Sequence, residues 1–231
     1  KTWRFLLRSG IYFADDPCFV ASGGKGRELM AADVAYSIRR IADTKVGSSG
    51  YWIYRGKIVG LDEFRAASQS EEPTDYEYPV AGLEVIGPHE LAIHLNEPYP
   101  QLPWVLAMPY AFVVPREAVE YYGTDFVNHP VGTGPYVLAA YRQNYRYEYR
   151  TNPKWAETGR VDPMPAPDGA ATGVALPQIP RIVCSVVGDP ATAWLMFMAG
   201  QLDLTEISRD QWDSIMAPDQ TLRPELVAKG I

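Results

Sequence analysis

LEVIGPHELAIHL, residues 83–95, constrains the fold more than any other stretch. Two runs that alternate apolar and polar side chains flank Gly87-Pro88-His89-Glu90, a turn-forming group. That pattern reads as an antiparallel hairpin. A second period-two run opens the chain: Trp3, Phe5 and Leu7 face one way, Arg4 and Arg8 the other. This is an amphipathic strand from the first residues onward. A chain that opens mid-strand reads as a trimmed fragment, and KTWRFLLRSG has no signal-peptide layout.

Helical periods are interleaved with these strands. AADVAYSIRRIAD (31–43) places Val34, Ile38 and Ile41 on one face of a helix. The acidic stretch SQSEEPTDYEYP (68–79) reads as a surface loop. EPYPQLPWVLAMPYAFVVP (97–115) predicts a short helix around Leu102–Ala107 and a strand around Tyr110–Val114. Pro115 then suits the first position of a helix that Gly123 stops. Residues 135–150 form a second hairpin, and 156–180, rich in Pro, Gly and Ala, a long surface excursion. RIVCSVV is a strand; Asp189 caps and Pro190 starts the helix ATAWLMFMAG, Gly200 ends it, and LDL is a short strand. Two short helices, SRDQWDSIM and PELVAKG, close the chain. Strands mixed with helices, lacking a regular βαβ rhythm, predict a mixed α/β (α+β) sheet domain.

Charge excludes several function classes. The chain has 21 Lys+Arg against 28 Asp+Glu, a net −7, the opposite of what neutralising phosphates requires. Neither nucleic acid nor an anionic membrane is an expected partner, and no apolar run reaches the length of a membrane span. A disulfide between Cys18 and Cys184 and two free thiols both fit the cysteine count. Cys184, inside a strand-like run, reads as a small buried thiol.

HPVGTGPYVL (129–138) tests for phosphate binding and fails. A P-loop needs Lys and Ser/Thr after its last glycine, whereas Pro135-Tyr136-Val137 follows here and favours a strand. Gly132 and Gly134 read instead as a tight turn with positive φ. YRQNYRYEYR (141–150) interleaves tyrosines and arginines as a single-strand nucleic-acid platform would. In a strand, though, Tyr145, Tyr147 and Tyr149 share one face, leaving Arg146, Glu148 and Arg150 on a solvated one. His89, His94 and His129 lack ligand spacing, so no metal or other cofactor is expected. Adjacent Asp15-Asp16 and Glu71-Glu72 diverge on extended chain, and no GxSxG or Cys/His constellation occurs. No catalytic residue, and no enzyme, is read here. Tyr51, Trp52 and Tyr54, in GSSGYWIY, fit either a ligand-cleft lining or a satellite core beneath a loop.

Several segments together carry a resemblance: TWRFLLRSGIYFADD, ELMAADVAYSIRRIAD, LEVIGPHELAIHLNEPYP, HPVGTGPYVL, TNPKW and GDPATAWLMFMAGQLDL. In this order they resemble the family 5 extracellular solute-binding proteins, the oligopeptide, dipeptide and nickel receptors of ABC importers. The resemblance implies a periplasmic binding protein-like II fold, with this chain as most of lobe I. Residues 1–112 would be its peripheral subdomain and 113–231 its core sheet subdomain, ending near the hinge, with the second lobe absent. It implies capture of a peptide or other small solute without chemistry on it, and delivery by a monomer to ABC permease subunits. The location would be periplasmic or extracellular, with or without a lipid anchor on the full-length protein. A signalling or regulatory relative that reuses the lobe as a sensor or interaction surface is the alternative. Substrate contacts carry over to Tyr51 or Trp52 and to Met108 or Tyr110. Met30 stands where the family usually has a capping Thr or Ser, so that cap is lost or replaced.

Overall fold

The computed structural model describes residues 1–157 and 177–228. Three strands, β1 (Thr2–Leu6), β2 (Leu83–Gly87) and β3 (Glu90–His94), form an antiparallel sheet in the order β1-β3-β2. Thr2 lies opposite His94 and Leu6 opposite Glu90, while Leu83 faces Ile93 from the other side. The central strand, paired on both edges, buries Leu91, Ala92 and Ile93. The opening strand and the hairpin expected at 83–95 therefore belong to one sheet.

Helix α1 (Ala31–Ala42) covers this sheet. Its buried Ala31, Ala35, Ile38 and Ala42 recur at helical spacing, and the small alanines admit close approach to the strands. The core continues through Ile53, Tyr54 and Ile58, Leu61 and Phe64 of α2 (Leu61–Ala67), and Leu102 of α3 (Leu102–Leu106). Burying each such large side chain is worth ~1.5–3 kcal/mol. A second cluster joins Phe13, Cys18, Phe19, Leu29 and Val131 to Ala118 of α4 (Arg116–Tyr122).

Met30 makes no side-chain cap to α1. The cap is replaced from the first turn: Asp33 Oδ2 accepts the Met30 backbone N–H at 2.8 Å. Pro115 sits one position before α4 and Gly123, at φ 54°, ends that helix. The acidic stretch is pinned rather than merely solvated: the buried Asp43 carboxylate accepts from Thr74 at 3.0 Å and from Tyr76 at 2.8 Å.

A second sheet contains β4 (Tyr136–Arg142), β5 (Arg146–Thr151) and β6 (Arg181–Ser185), in the order β4-β5-β6. Helix α5 (Pro153–Glu157) follows β5. Beyond β6, Asp189 accepts from the N–H groups of Ala191 and Thr192 and so caps α6 (Pro190–Met198). The chain continues through α7 (Trp212–Ile215) and α8 (Pro224–Val227). Of the expected surface excursion, residues 158–176 lie outside the described residues. Two compact units are distinguished: Lys1–Ala139 with Tyr149–Ile182, and Ala140–Glu148 with Val183–Ile231.

Five local expectations are corrected. Tyr110–Val114 is not a strand: Pro109–Ala111 forms a 3-10 turn, closed by Phe112 N–H onto the Pro109 carbonyl. Residues 202–204 are irregular, without a strand partner among the described residues. Neither Gly132 nor Gly134 adopts positive φ. Their turn is held instead by the Gly132 carbonyl, which accepts from Ala14 N–H at 2.9 Å. Cys184 is exposed rather than buried, because both faces of β6 are largely uncovered, with Ile182 alone half-buried; it and Cys18 are free thiols. Glu148 is buried rather than on a solvated face, with Arg146 at 3.4 Å.

Candidate functional site

Helix α1 ends at Asp43, and a 3-10 turn over Thr44–Val46 leads into the aromatic segment. Tyr51–Ile53 form another 3-10 turn, which sends successive side chains in different directions. Ile53 and Tyr54 enter the main core, both essentially inaccessible. Tyr51 is 9% exposed and Trp52 64%. Tyr51 and Tyr54 are thus core, whereas Trp52 presents its indole to solvent.

Tyr51 is fixed from three sides. Its hydroxyl donates to Asp62 Oδ1 on α2, its ring lies 4.1 Å beneath the Arg65 guanidinium, and its neighbour Gly50 meets Tyr110. Burial, then the hydrogen bond to the Asp62 carboxylate, pushes the Tyr51 phenol well above its ordinary value, so it stays a donor. Asp62 Oδ2 also accepts the Gly56 N–H at 2.9 Å, which closes the turn onto α2. A cavity of about 490 Å³ opens here, lined by Tyr51, Arg55, Asp62, Arg65, Ala66 and Gln69.

The structure brings the two expected contact segments together at Gly50. A Cβ on Gly50 would lie 2.3 Å from the Tyr110 ring, so only glycine lets the segments approach this closely. Met108 and Tyr110 are half-buried against the main core. Two further aromatics on the Pro-punctuated segment stand out in solvent, Trp104 at 79% and Phe112 at 69% exposure. The excess of apolar residues in 97–115 was their only sequence signal. Arg55, Asp62, Arg65 and Gln69 had none, because a turn and a helix meeting in three dimensions create their cavity.

The histidines serve the scaffold. His94 Nδ1 lies 2.9 Å from Thr2 Oγ1 and its Nε2 2.7 Å from Glu84, across the three strands of the first sheet. His89 meets Glu28 at 3.1 Å, and His129 stacks on Tyr122 with centroids 4.2 Å apart. Among the described residues no group of three His, Cys, Asp or Glu is placed to hold a metal ion. Nor, among them, is any helix long and apolar enough to cross a membrane.

Comparisons with known proteins agree with this architecture. The glutathione-binding protein GsiB of Salmonella typhi is 39% identical over 142 residues, covering 62% of this chain and 21% of that protein. The HTH-type transcriptional regulator SgrR of Salmonella typhi is 30% identical over 136 residues, 59% of this chain and 17% of the regulator. The solved structure of Burkholderia pseudomallei OppA superposes with a TM-score of 0.68 at 24% identity, covering 93% of this chain and 36% of that one. The chain thus spans about a fifth of these curated relatives' length, and the OppA likeness shows its fold to be that of periplasmic binding proteins. Residues 1–225 match bacterial extracellular solute-binding proteins, family 5 Middle, and the chain belongs to that family.

Proposed function

We propose that this chain is the larger part of lobe I of the substrate-binding component of an ABC importer. It captures a peptide or peptide-like solute in the periplasm or outside the cell, and presents it as a monomer to permease subunits. Residues 1–112 act as the peripheral subdomain of the lobe and 113–231 as its core sheet subdomain. A second lobe closes on the solute by hinge motion. One observation carries this reading. In a family of solute-binding proteins, the exposed Trp52 lies in a 3-10 turn whose neighbours Tyr51, Ile53 and Tyr54 are buried in the core and whose Gly50 packs against Tyr110. A rigid aromatic gives contact area to a solute at little cost in conformational entropy. Tyr51, Trp52, Met108 and Tyr110 are the contact segments, with Trp52 as the side chain that reaches the solute and the others supporting it.

Relatives support the ligand class through what they bind: glutathione for GsiB, and oligopeptides for the OppA of Salmonella typhimurium. The regulatory reading is less favoured, since identity to the glutathione-binding protein exceeds that to the regulator. The test is calorimetric titration of this chain with a tripeptide. One wall alone encloses little of a ligand, so a dissociation constant of about 1 mM or weaker is expected. Submicromolar binding would contradict the two-lobed capture.

A further inference from the structure

We propose that the cavity between the Tyr51 turn and α2 binds a small di- or tricarboxylate, which the guanidiniums of Arg55 and Arg65 hold. The chain carries a net charge of −7, yet this cavity has two arginines against a single carboxylate. That carboxylate is already committed: Asp62 accepts from the Tyr51 hydroxyl and from the Gly56 N–H. Neither arginine forms an ion pair among the described residues, although acidic residues outnumber basic ones.

Arg65 is held in place without being neutralised. It stacks on Tyr51 and spends one N–H on the Ala42 carbonyl at 3.0 Å. Most of its five donors remain for a ligand, in a planar fork suited to a carboxylate. Arg55 is exposed on the adjoining turn, held there by its backbone N–H on the Tyr51 carbonyl at 3.1 Å, so its guanidinium can turn to a ligand without breaking an ion pair among the described residues. Gln69 adds an amide. The volume, about 490 Å³, falls within the range of small-ligand sites. Asp62 in the same wall disfavours an anion whose charge is concentrated at one centre, such as phosphate. A di- or tricarboxylate spreads its charge, placing one carboxylate at each guanidinium. All the lining residues fall within 51–69, so the site is complete without a second lobe and does not depend on the peptide reading.

The test is calorimetric titration of this chain with citrate, and separately with inorganic phosphate, at low ionic strength. Citrate is expected to bind saturably, more tightly than phosphate, and more weakly as salt is added. Arg55→Glu, which removes no side-chain ion pair among the described residues, should weaken citrate binding by about tenfold or more while leaving the thermal midpoint unchanged. Arg65→Lys, which keeps the charge but loses the fork, should weaken it as well. No saturable heat up to about 20 mM citrate, equal affinity in Arg55→Glu, or tighter binding of phosphate would each overturn the proposal. The tripeptide titration is read separately, so failure of either site leaves the other testable.

Discussion

Arg27 joins two parts of the first unit through a single guanidinium. It donates to both oxygens of Asp33 at 2.7 and 2.8 Å, and to Glu117 Oε2 on α4 at 2.7 Å. Asp33 also caps α1, so Asp33→Ala removes a cap and leaves Arg27 short of a partner. It should cost ~1–3 kcal/mol in denaturant unfolding, with Asp33→Asn nearer the lower end because an amide oxygen still accepts the Met30 N–H. The hydrogen bond from Arg27 holds the Glu117 carboxyl below its ordinary value of 4.5. A lowered carboxyl stabilises the fold above that value and stops doing so as pH falls through the folded-state pKa. Thermal midpoints of the protein and of Glu117→Gln, separate at pH 7, should therefore converge on acidification below about pH 4.5. The replaced cap was legible only in part. The sequence showed that Met30 could not cap, and an acid three residues on is a known signal. That this acid also pairs with Arg27 depends on folding. Inside and outside were equally hidden at 51–54, since a 3-10 turn has no period long enough to assign faces.

Elements with a repeated period were legible and those needing a partner were not. Helix α1 and the 83–95 hairpin follow from spacing, because hydrophobic alternation records which face is covered. Residues 110–114 and 202–204 look equally strand-like, but a strand exists only where another backbone takes its hydrogen bonds. Pro109 has no N–H to offer and starts a 3-10 turn instead. Helix α6 is apolar in sequence, yet none of its residues is buried, whereas α2 buries Leu61 completely. Leu61→Ala should thus cost ~2–5 kcal/mol, and Leu195→Gln, at a position 67% exposed, less than about 0.5 kcal/mol. Urea unfolding of the two variants checks the contrast. Where two elements touch closely, Gly50→Ala drives a methyl into the Tyr110 ring. It should lower stability by ~1–3 kcal/mol, in the same assay.

At the scale of the whole chain, family membership and mixed α/β architecture were legible because many modest motifs occur in one order. The ligand was not, since solute specificity arises from side chains converging across a cleft. The turn that carries Trp52, which we propose as part of the binding wall, is built from one end of a helix, two 3-10 turns and a glycine contact. Trp52→Ala should leave the thermal midpoint within about 1 °C, because an indole 64% exposed contributes little to the core. The most direct measurement is a two-dimensional NMR titration of this chain with a tripeptide, reading the Trp52 indole together with backbone amides across the sequence. Selective shifts at the indole and in segments 51–52 and 108–110, abolished by Trp52→Ala, are the predicted result. Shifts confined to other surfaces, or unchanged by that substitution, would show that this turn is not where the solute rests.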